Sequence, residues 1–474
     1  MDSPHRLPVL SRRRFLSGCA AAAACASCPG LCASAAAADS SPQSLLPDVK
    51  TRVRLVYTHP SPERQGWPYQ GYDYESRKKE LSARFTKACP NVEFLPVWAK
   101  DEEEAKKVLE AGEVDGYLVY ILGIPSSAAR AITLSNQPTI LVDDLYGGTG
   151  QFLGVYSEAV RKGLRVAGVS STRFEDVAAA VRALESIRKM RASTLLDVVD
   201  RDLGEVPKVF RETMGVTIQT VTAEELNAAY EKADAAESRR WAKTWSSQAA
   251  RVVEPSAAEI EKSGAMYIAM RSLLAGHKAQ GIAIDCLRLF YGGKMAAYPC
   301  LGFFQLNNDG LVGACEADLQ SAATMLLMTY LAGRPGYISD PVIDTSKNHI
   351  IYAHCVAPSK VFGPSGPSNP YHIRDHSEDR KGAAVRSLMP LNHMTTTLKF
   401  VPQQKTVVLH QGKTVANIDE DRACRTKLAA EVKDARKLAA GWAWGWHRVT
   451  FYGDLKTQVE TVSALMGFKV VEEG

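Results

Sequence analysis

Three residues of this sequence have the chemistry of a hard-metal site. Glu316 follows Cys315 and opens the segment Ala317-Asp318-Leu319-Gln320. Asp340 comes 24 residues later, after the apolar strand end Tyr337-Ile338-Ser339. His447 lies in Gly445-Trp446-His447-Arg448, entering the last predicted strand. Each sits at an element end, where side chains converge on shared clefts. Two carboxylates and an imidazole suit Mn2+, or Mg2+ or Fe2+, with coordination positions left open. An open face accepts the carbonyl and neighbouring hydroxyl of a sugar, and the ion then stabilises the enediolate left when a C–H proton departs. One carboxylate can double as the base. Spacing alone leaves other roles open. Glu316 also reads as a first-turn acid, Asp340 before Pro341 as a turn initiator and His447 as a core imidazole.

Other groups cluster near these. Asp285 ends the apolar run Gly281-Ile282-Ala283-Ile284 and reads as a cap or an outer-shell group. His354, in Ala353-His354-Cys355, ends a strand and reads as a substrate contact, an outer-shell group or core. Strand alternation puts His372, Arg374 and His376 on one face and Asp375 on the other: a polar rim or a solvated loop. Trp442, Trp444 and Trp446 also alternate. On a strand they share a face, either as a ring-stacking platform or as an aromatic core behind His447.

The elements that position these groups follow from periodicity. Short apolar strands at Val53 to Tyr57, Val92 to Val97, Val114 to Leu122, Pro138 to Val142 and Leu164 to Val169 alternate with helical segments near 74–87, 101–111 and 174–190. This predicts a parallel sheet covered on both faces. Asp143-Asp144 and the cluster Gly147-Gly148-Thr149-Gly150 lie past a strand end and read as a flexible or ligand-binding loop. No G-x-G-x-x-G fingerprint follows a strand, so a dinucleotide site is unsupported. A second α/β unit opens at Thr194 to Val199, with helices predicted at 222–250, 256–279 and 315–332. Beyond about 345 strands dominate: Ile350 to Ala353, Met394 to Phe400, Thr406 to His410 and Arg448 to Phe451. Gln411-Gly412 reads as a hairpin turn, 423–439 as one late helix, and Pro358 to Pro370 as a long loop. The expected fold is α/β: two Rossmann-like parallel-sheet domains, 51–192 and 193–345, then a β-rich C-terminal domain, 346–474. The second domain carries the metal carboxylates.

The 474 residues are 46% hydrophobic and 23% charged, an ordinary globular mix. The net charge is +5, but residues 1–38 hold four arginines and one aspartate. The remainder carries 53 basic and 51 acidic residues, which argues against a nucleic-acid partner. Ser11-Arg12-Arg13-Arg14-Phe15-Leu16, an alanine-rich apolar run and Ala36-Ala37-Ala38 have the order of a twin-arginine signal peptide over 1–38. A Ser/Pro-rich linker follows at 39–50. The twin-arginine export machinery is then a partner, and the destination is periplasmic or extracellular. Folding before export lets a site take Mn2+ before meeting Cu2+ or Zn2+. Cys89, Cys286, Cys300, Cys315, Cys355 and Cys424 lie beyond this segment and form no C-x-x-C pair. That leaves disulfides of unreadable pairing or buried thiols.

The string Cys315-Glu316-Ala317-Asp318, Thr324-Met325, Gly333-Arg334-Pro335 and Asp340 resembles the metal-site core of the L-fucose isomerase family, to which arabinose isomerases are more distantly related. Trp446-His447 before Gly453-Asp454 is similar to the stretch holding the family's third ligand. The resemblance covers roughly 281–355 and 442–454. It implies that Glu316 and Asp340 bind Mn2+ and serve as acid/base groups, that His447 binds the metal, and that the chain forms a homo-oligomer. It implies aldose–ketose interconversion of a monosaccharide or modified sugar. The chain departs from the family in being shorter and in carrying an export signal. Outside the inner membrane, an exported glycoside lyase or hydrolase on the same fold is the alternative, and a non-catalytic carbohydrate-binding protein is a third reading.

Overall fold

The computed structural model describes residues 42–474, so the signal-like segment 1–38 lies outside the described residues. The first sheet holds β1 (Thr51–Thr58), β2 (Val92–Ala99), β3 (Gly116–Ile121), β4 (Thr139–Asp143) and β5 (Val166–Ser170). Its order is β2-β1-β3-β4-β5 and every pairing is parallel. β3 and β4 are buried at every residue, because helices cover both faces. After β6 (Thr194–Val198), β7 (Thr217–Val221) and the two-residue β8 (Arg251–Val252) come β9 (Gly281–Ile284) and β10 (Val312–Cys315). A second parallel sheet runs β10-β9-β6-β7.

The C-terminal strands are β11 (Tyr337–Asp344), β12 (His349–His354), β13 (Tyr371–Arg374), β14 (Ala384–Ser387), β15 (Met394–Val401), β16 (Thr406–Asn417), β17 (Thr426–Val432), β18 (Arg448–Tyr452) and β19 (Lys469–Glu472). Seven follow the order β15-β18-β11-β12-β17-β16-β19. β16 pairs with β15 over Thr406 to Lys413 and with β17 over Gly412 to Asn417. One long strand thus closes six strands into a ring. β14, β13 and β8 make a small fourth sheet. The fold is therefore α/β, with two parallel sheets and a strand-rich C-terminal region. The strand bearing Asp340 belongs to the ring, not to the parallel sheet that precedes Glu316.

Several local expectations are corrected. Gln411-Gly412 is not a turn: it lies inside β16, where a Cβ on Gly412 would stand 3.0 Å from the Glu431 carbonyl oxygen. The β15–β16 turn is Pro402–Gln404 and Lys405, the latter with φ 46°. The glycine cluster is not a free loop. Thr149–Arg161 is a helix, and a Cβ on Gly148 would meet the Ile121 carbonyl oxygen at 2.4 Å. The long helix 222–250 is two, Ala223–Glu231 and Ala235–Gln248, because Asp234 caps the second by accepting from the Glu237 amide. The late helix shrinks to Ala435–Ala440. The segment before it becomes β17, whose Leu428, Ala429 and Ala430 are fully buried, so tertiary pairing overrides alanine's helix preference. The helix expected from 315 begins at Leu319.

Candidate metal centre

Four side chains meet where the second parallel sheet abuts the ring. Glu316 leaves the carboxyl end of β10, the edge at which open α/β sheets place ligands. Asp340 lies within β11, opposite Ala353 of β12, while Ser339 pairs with Arg448 of β18. His354 is the last residue of β12, and His447 directly precedes β18. His447 and His354 thus lie at the ends of the two strands that flank Asp340, close to Glu316. One ligand atom from each of the four lies within 4.8 Å of the others, an arrangement able to hold a metal ion.

The turn carrying Glu316 is strained. Glu316 and Ala317 have φ of 60° and 49°, the left-handed region that non-glycine residues avoid. The Ala317 amide donates to the Ile284 carbonyl at 3.0 Å, and Asp318 then caps the helix Leu319–Ala332 by accepting from the Ser321 amide. Two left-handed residues turn the chain at once from strand to helix and push the Glu316 carboxylate out over the sheet edge. Ala317→Gly relieves half of this strain. Its expected effect is a gain of about 1 kcal/mol, read as a higher thermal midpoint. A lower midpoint would show that the turn holds no such strain.

The neighbours of the two imidazoles assign them different roles. His447 Nδ1 stands 3.0 Å from Asp318 Oδ2, an acceptor-only carboxylate, so Nδ1 carries a proton. Its Nε2 lies 3.1 Å from Asp340 Oδ1 and 3.4 Å from Glu316 Oε2, at angles that make no hydrogen bond. Cis ligands of a six-coordinate ion with bonds of about 2.1 Å stand roughly 3 Å apart. A buried nitrogen without a hydrogen bond, at that spacing from two carboxylate oxygens, fits a divalent cation. In His354 the order is reversed. Its Nδ1 accepts from the Cys355 amide at 3.0 Å, so the proton sits on Nε2, 3.9 Å from Glu316 Oε1. His354 therefore presents an N–H donor to the centre, whereas His447 can present a lone pair.

The electrostatics follow. Burial works to push His447 down, but Asp318, Asp340 and Glu316 outweigh it and lift the metal-free imidazole to about 11. Burial works to raise Asp340. Contacts with His447, His354 and Trp446 outweigh it and hold the carboxyl at about 2. Asp318 is likewise held far below the usual carboxylate range against its burial by His447 and Lys399, whose Nζ is 3.3 Å away. Trp446 Nε1 donates to Asp340 Oδ1 at 2.6 Å, although the residue is 62% exposed. Arg448 is fully buried and paired with Glu473, and its Nη1 donates to the carbonyls of Trp444, Gly445 and His447. The expected tryptophan strand is thus a loop wrapped around a guanidinium, with Gly445 at φ 83°.

The sequence candidates separate accordingly. Glu316, Asp340, His354 and His447 come together, with Trp446 tied to Asp340. Asp285 directly follows β9 outside this cluster, 3.5 Å from Arg288 Nε and 3.9 Å from Arg201 Nε. His372 lies in β13 of the small sheet, paired in register with Arg386 and Arg251. Burial and those arginines push its imidazole down. The rim is salt-bridged: Arg374 pairs with Glu254 and Arg425 with Asp375. Sequence reasoning missed three site residues. Asp318 orients His447, Lys399 sits beside Asp318, and the Cys424 thiol donates to Asp340 Oδ2 at 3.7 Å. All six cysteines among the described residues are free thiols, five of them buried.

No family model matches the chain. It is 28% identical over 160 residues to a sulfoquinovose isomerase of Alkalicoccus urumqiensis, covering 33% of this chain and 34% of that protein. Over 86 residues it is 31% identical to a sulfoquinovose isomerase of Priestia aryabhattai, covering 18% and 19%. Over 57 residues it is 39% identical to one from Clostridium sp. (strain MSTE9), covering 12% and 13%. The chain thus spans about a third or less of the length of these relatives. Over those stretches it is similar to sugar isomerases.

Proposed function

We propose that the protein is a divalent-cation-dependent aldose–ketose isomerase acting on a sugar, with Glu316, Asp340 and His447 as the protein ligands. The observation that carries this reading is the opposed orientation of two buried imidazoles: His447 gives Nδ1 to Asp318 and turns Nε2 to two carboxylates, whereas His354 accepts the Cys355 amide at Nδ1 and turns an Nε2 donor to the same centre. A bound Mn2+ or similar ion would supply electrophilic stabilisation of adjacent sugar oxygens as a cis-enediol forms. Glu316, about a third exposed and on a strained turn, takes the proton from the carbon beside the carbonyl and returns it to its neighbour. Asp340 serves the oxygen-bound proton. The His354 Nε2–H donates to a sugar oxygen and holds its orientation. Asp318 fixes the His447 ring, and Trp446 fixes Asp340.

The name of these relatives makes sulfoquinovose the first substrate to try, beside a panel of unmodified aldoses and ketoses and small glycosides. The test is solvent-deuterium incorporation followed by NMR with Mn2+ present. Cation-dependent exchange at the carbon beside the carbonyl, with one isomeric product, is the expected result. Two fragments as products would replace isomerisation by glycoside cleavage. Sugar binding unchanged in excess chelator, without exchange, would sink the reading.

A further inference from the structure

Five of the six free thiols among the described residues gather in one hydrophobic cluster that adjoins the candidate metal centre. Cys315 precedes Glu316, and Cys286 opens the helix after the neighbouring strand β9. Cys355 follows His354, and Cys424 touches Asp340. Cys286, Cys300, Cys315 and Cys355 belong to one buried hydrophobic cluster, and Cys424 packs against it. Four of the five are buried, and Cys424 alone of them is partly exposed. A small reagent therefore meets Cys424 first.

Cys424 has a partner thiol. His354 pairs with Thr426 in the β12–β17 ladder, so Cys355 and Cys424 flank the same end of two adjacent antiparallel strands. Both sulfurs face the same hydroxyl. Ser377 Oγ bridges them, 4.0 Å from Cys355 Sγ and donating to Cys424 Sγ at 3.9 Å. Two thiols that share a hydroxyl neighbour on adjacent strand ends can form a disulfide by side-chain rotation and a small approach.

We propose that Cys355 and Cys424 are a reversible oxidation site that acts on the metal centre through Asp340. The oxidant is a hydroperoxide. It transfers oxygen to the Cys424 sulfur, giving a sulfenic acid and the corresponding alcohol or water. The Cys355 sulfur then attacks that sulfur. The S–S bond forms, the S–O bond breaks, and the hydroxyl leaves as water with the Cys355 proton. Two thiols lose two electrons and the hydroperoxide gains them. Once oxidised, Cys424 has no S–H to donate to Asp340 Oδ2, and its sulfur is drawn toward Cys355. Outer-shell partners of this kind contribute about 10- to 100-fold to metal affinity.

The coupling to the cation rests on the function proposed above, whereas the disulfide does not. The purified protein is treated with hydrogen peroxide, alkylated and mapped by mass spectrometry, and Mn2+ is titrated before oxidation, after it, and after reduction with a phosphine. A Cys355–Cys424 cross-link with about tenfold weaker Mn2+ binding, restored by reduction, is the expected result. Cys424→Ser cannot form the disulfide, so whatever its starting Mn2+ affinity, peroxide should not lower it. Absence of the cross-link overturns the oxidation site. A cross-link that leaves Mn2+ affinity unchanged, or an equal loss in Cys424→Ser, overturns the coupling. Reduced protein that binds no Mn2+ overturns the cation reading and the coupling with it, and the cross-link still decides the oxidation site.

Discussion

Glu316→Gln is expected to remove cation binding and turnover together. Glutamine keeps the size and the turn, but its amide oxygen is a far weaker ligand for a hard cation than a carboxylate, and its nitrogen cannot take a proton. General-base catalysis alone contributes about 10²- to 10⁴-fold, and electrophilic stabilisation several kcal/mol more. A loss of at least roughly 10³-fold in isomerisation follows, together with loss of Mn2+ binding in a direct titration. Stability should move differently. In the metal-free protein Glu316 Oε2 stands 3.4 Å from His447 Nε2, so neutralising it removes one of the three carboxylates that hold the imidazolium. The thermal midpoint without metal should fall only slightly, because Asp318 and Asp340 remain. Added Mn2+ should raise the midpoint of the natural protein and not that of the variant, because only the former binds it in the folded state. A variant that still binds Mn2+ and still turns over would end the mechanism.

The meeting of Glu316, Asp340 and His447 was legible because their residue types are unusual at element ends, and because the strings around them resemble a known metal core. The environment was much less so. Asp318 reads locally as a helix cap, and it is one. That its second oxygen also orients His447, 129 residues away, depends on how the ring of strands packs against the parallel sheet. His354 gains its meaning from strand register, which places it beside Asp340, and from a backbone amide that fixes its tautomer. Neither is local. The alternation Trp442-Trp444-Trp446 carries the period of a strand yet forms a loop, because a buried Arg448–Glu473 pair gathers its carbonyls. Gly412 reads as a turn residue and instead marks the place where one strand changes partners. In each case local propensity was sound and a long-range contact outweighed it.

Cation affinity is expected to climb steeply with pH. In the metal-free protein His447 is an imidazolium, held at about 11 against its burial by three carboxylates. A cation needs the Nε2 lone pair, so each ion bound at neutral pH releases one proton. Apparent affinity should therefore rise about tenfold per pH unit, close to a thousandfold between pH 6 and 9, in Mn2+ titrations at constant ionic strength. Calorimetry in buffers of different ionisation enthalpy should count the same proton. Asp318→Asn removes the hydrogen bond that most raises the imidazole, so its curve should flatten toward the upper end of this range, where the natural protein still climbs. The same groups set the stability of the metal-free fold. The raised His447 contributes stability that is fully present below about pH 6.5 and is lost as pH rises through about 11. The depressed Asp340 contributes stability that is present above its ordinary value of 3.8 and is lost as pH falls through about 2. Metal-free protein should thus be most stable between about pH 4 and 6.5, and Mn2+ should protect it increasingly above that window. An affinity independent of pH from 6 to 9 would mean that the imidazole is already neutral there. The three carboxylates would then not be acting on it together.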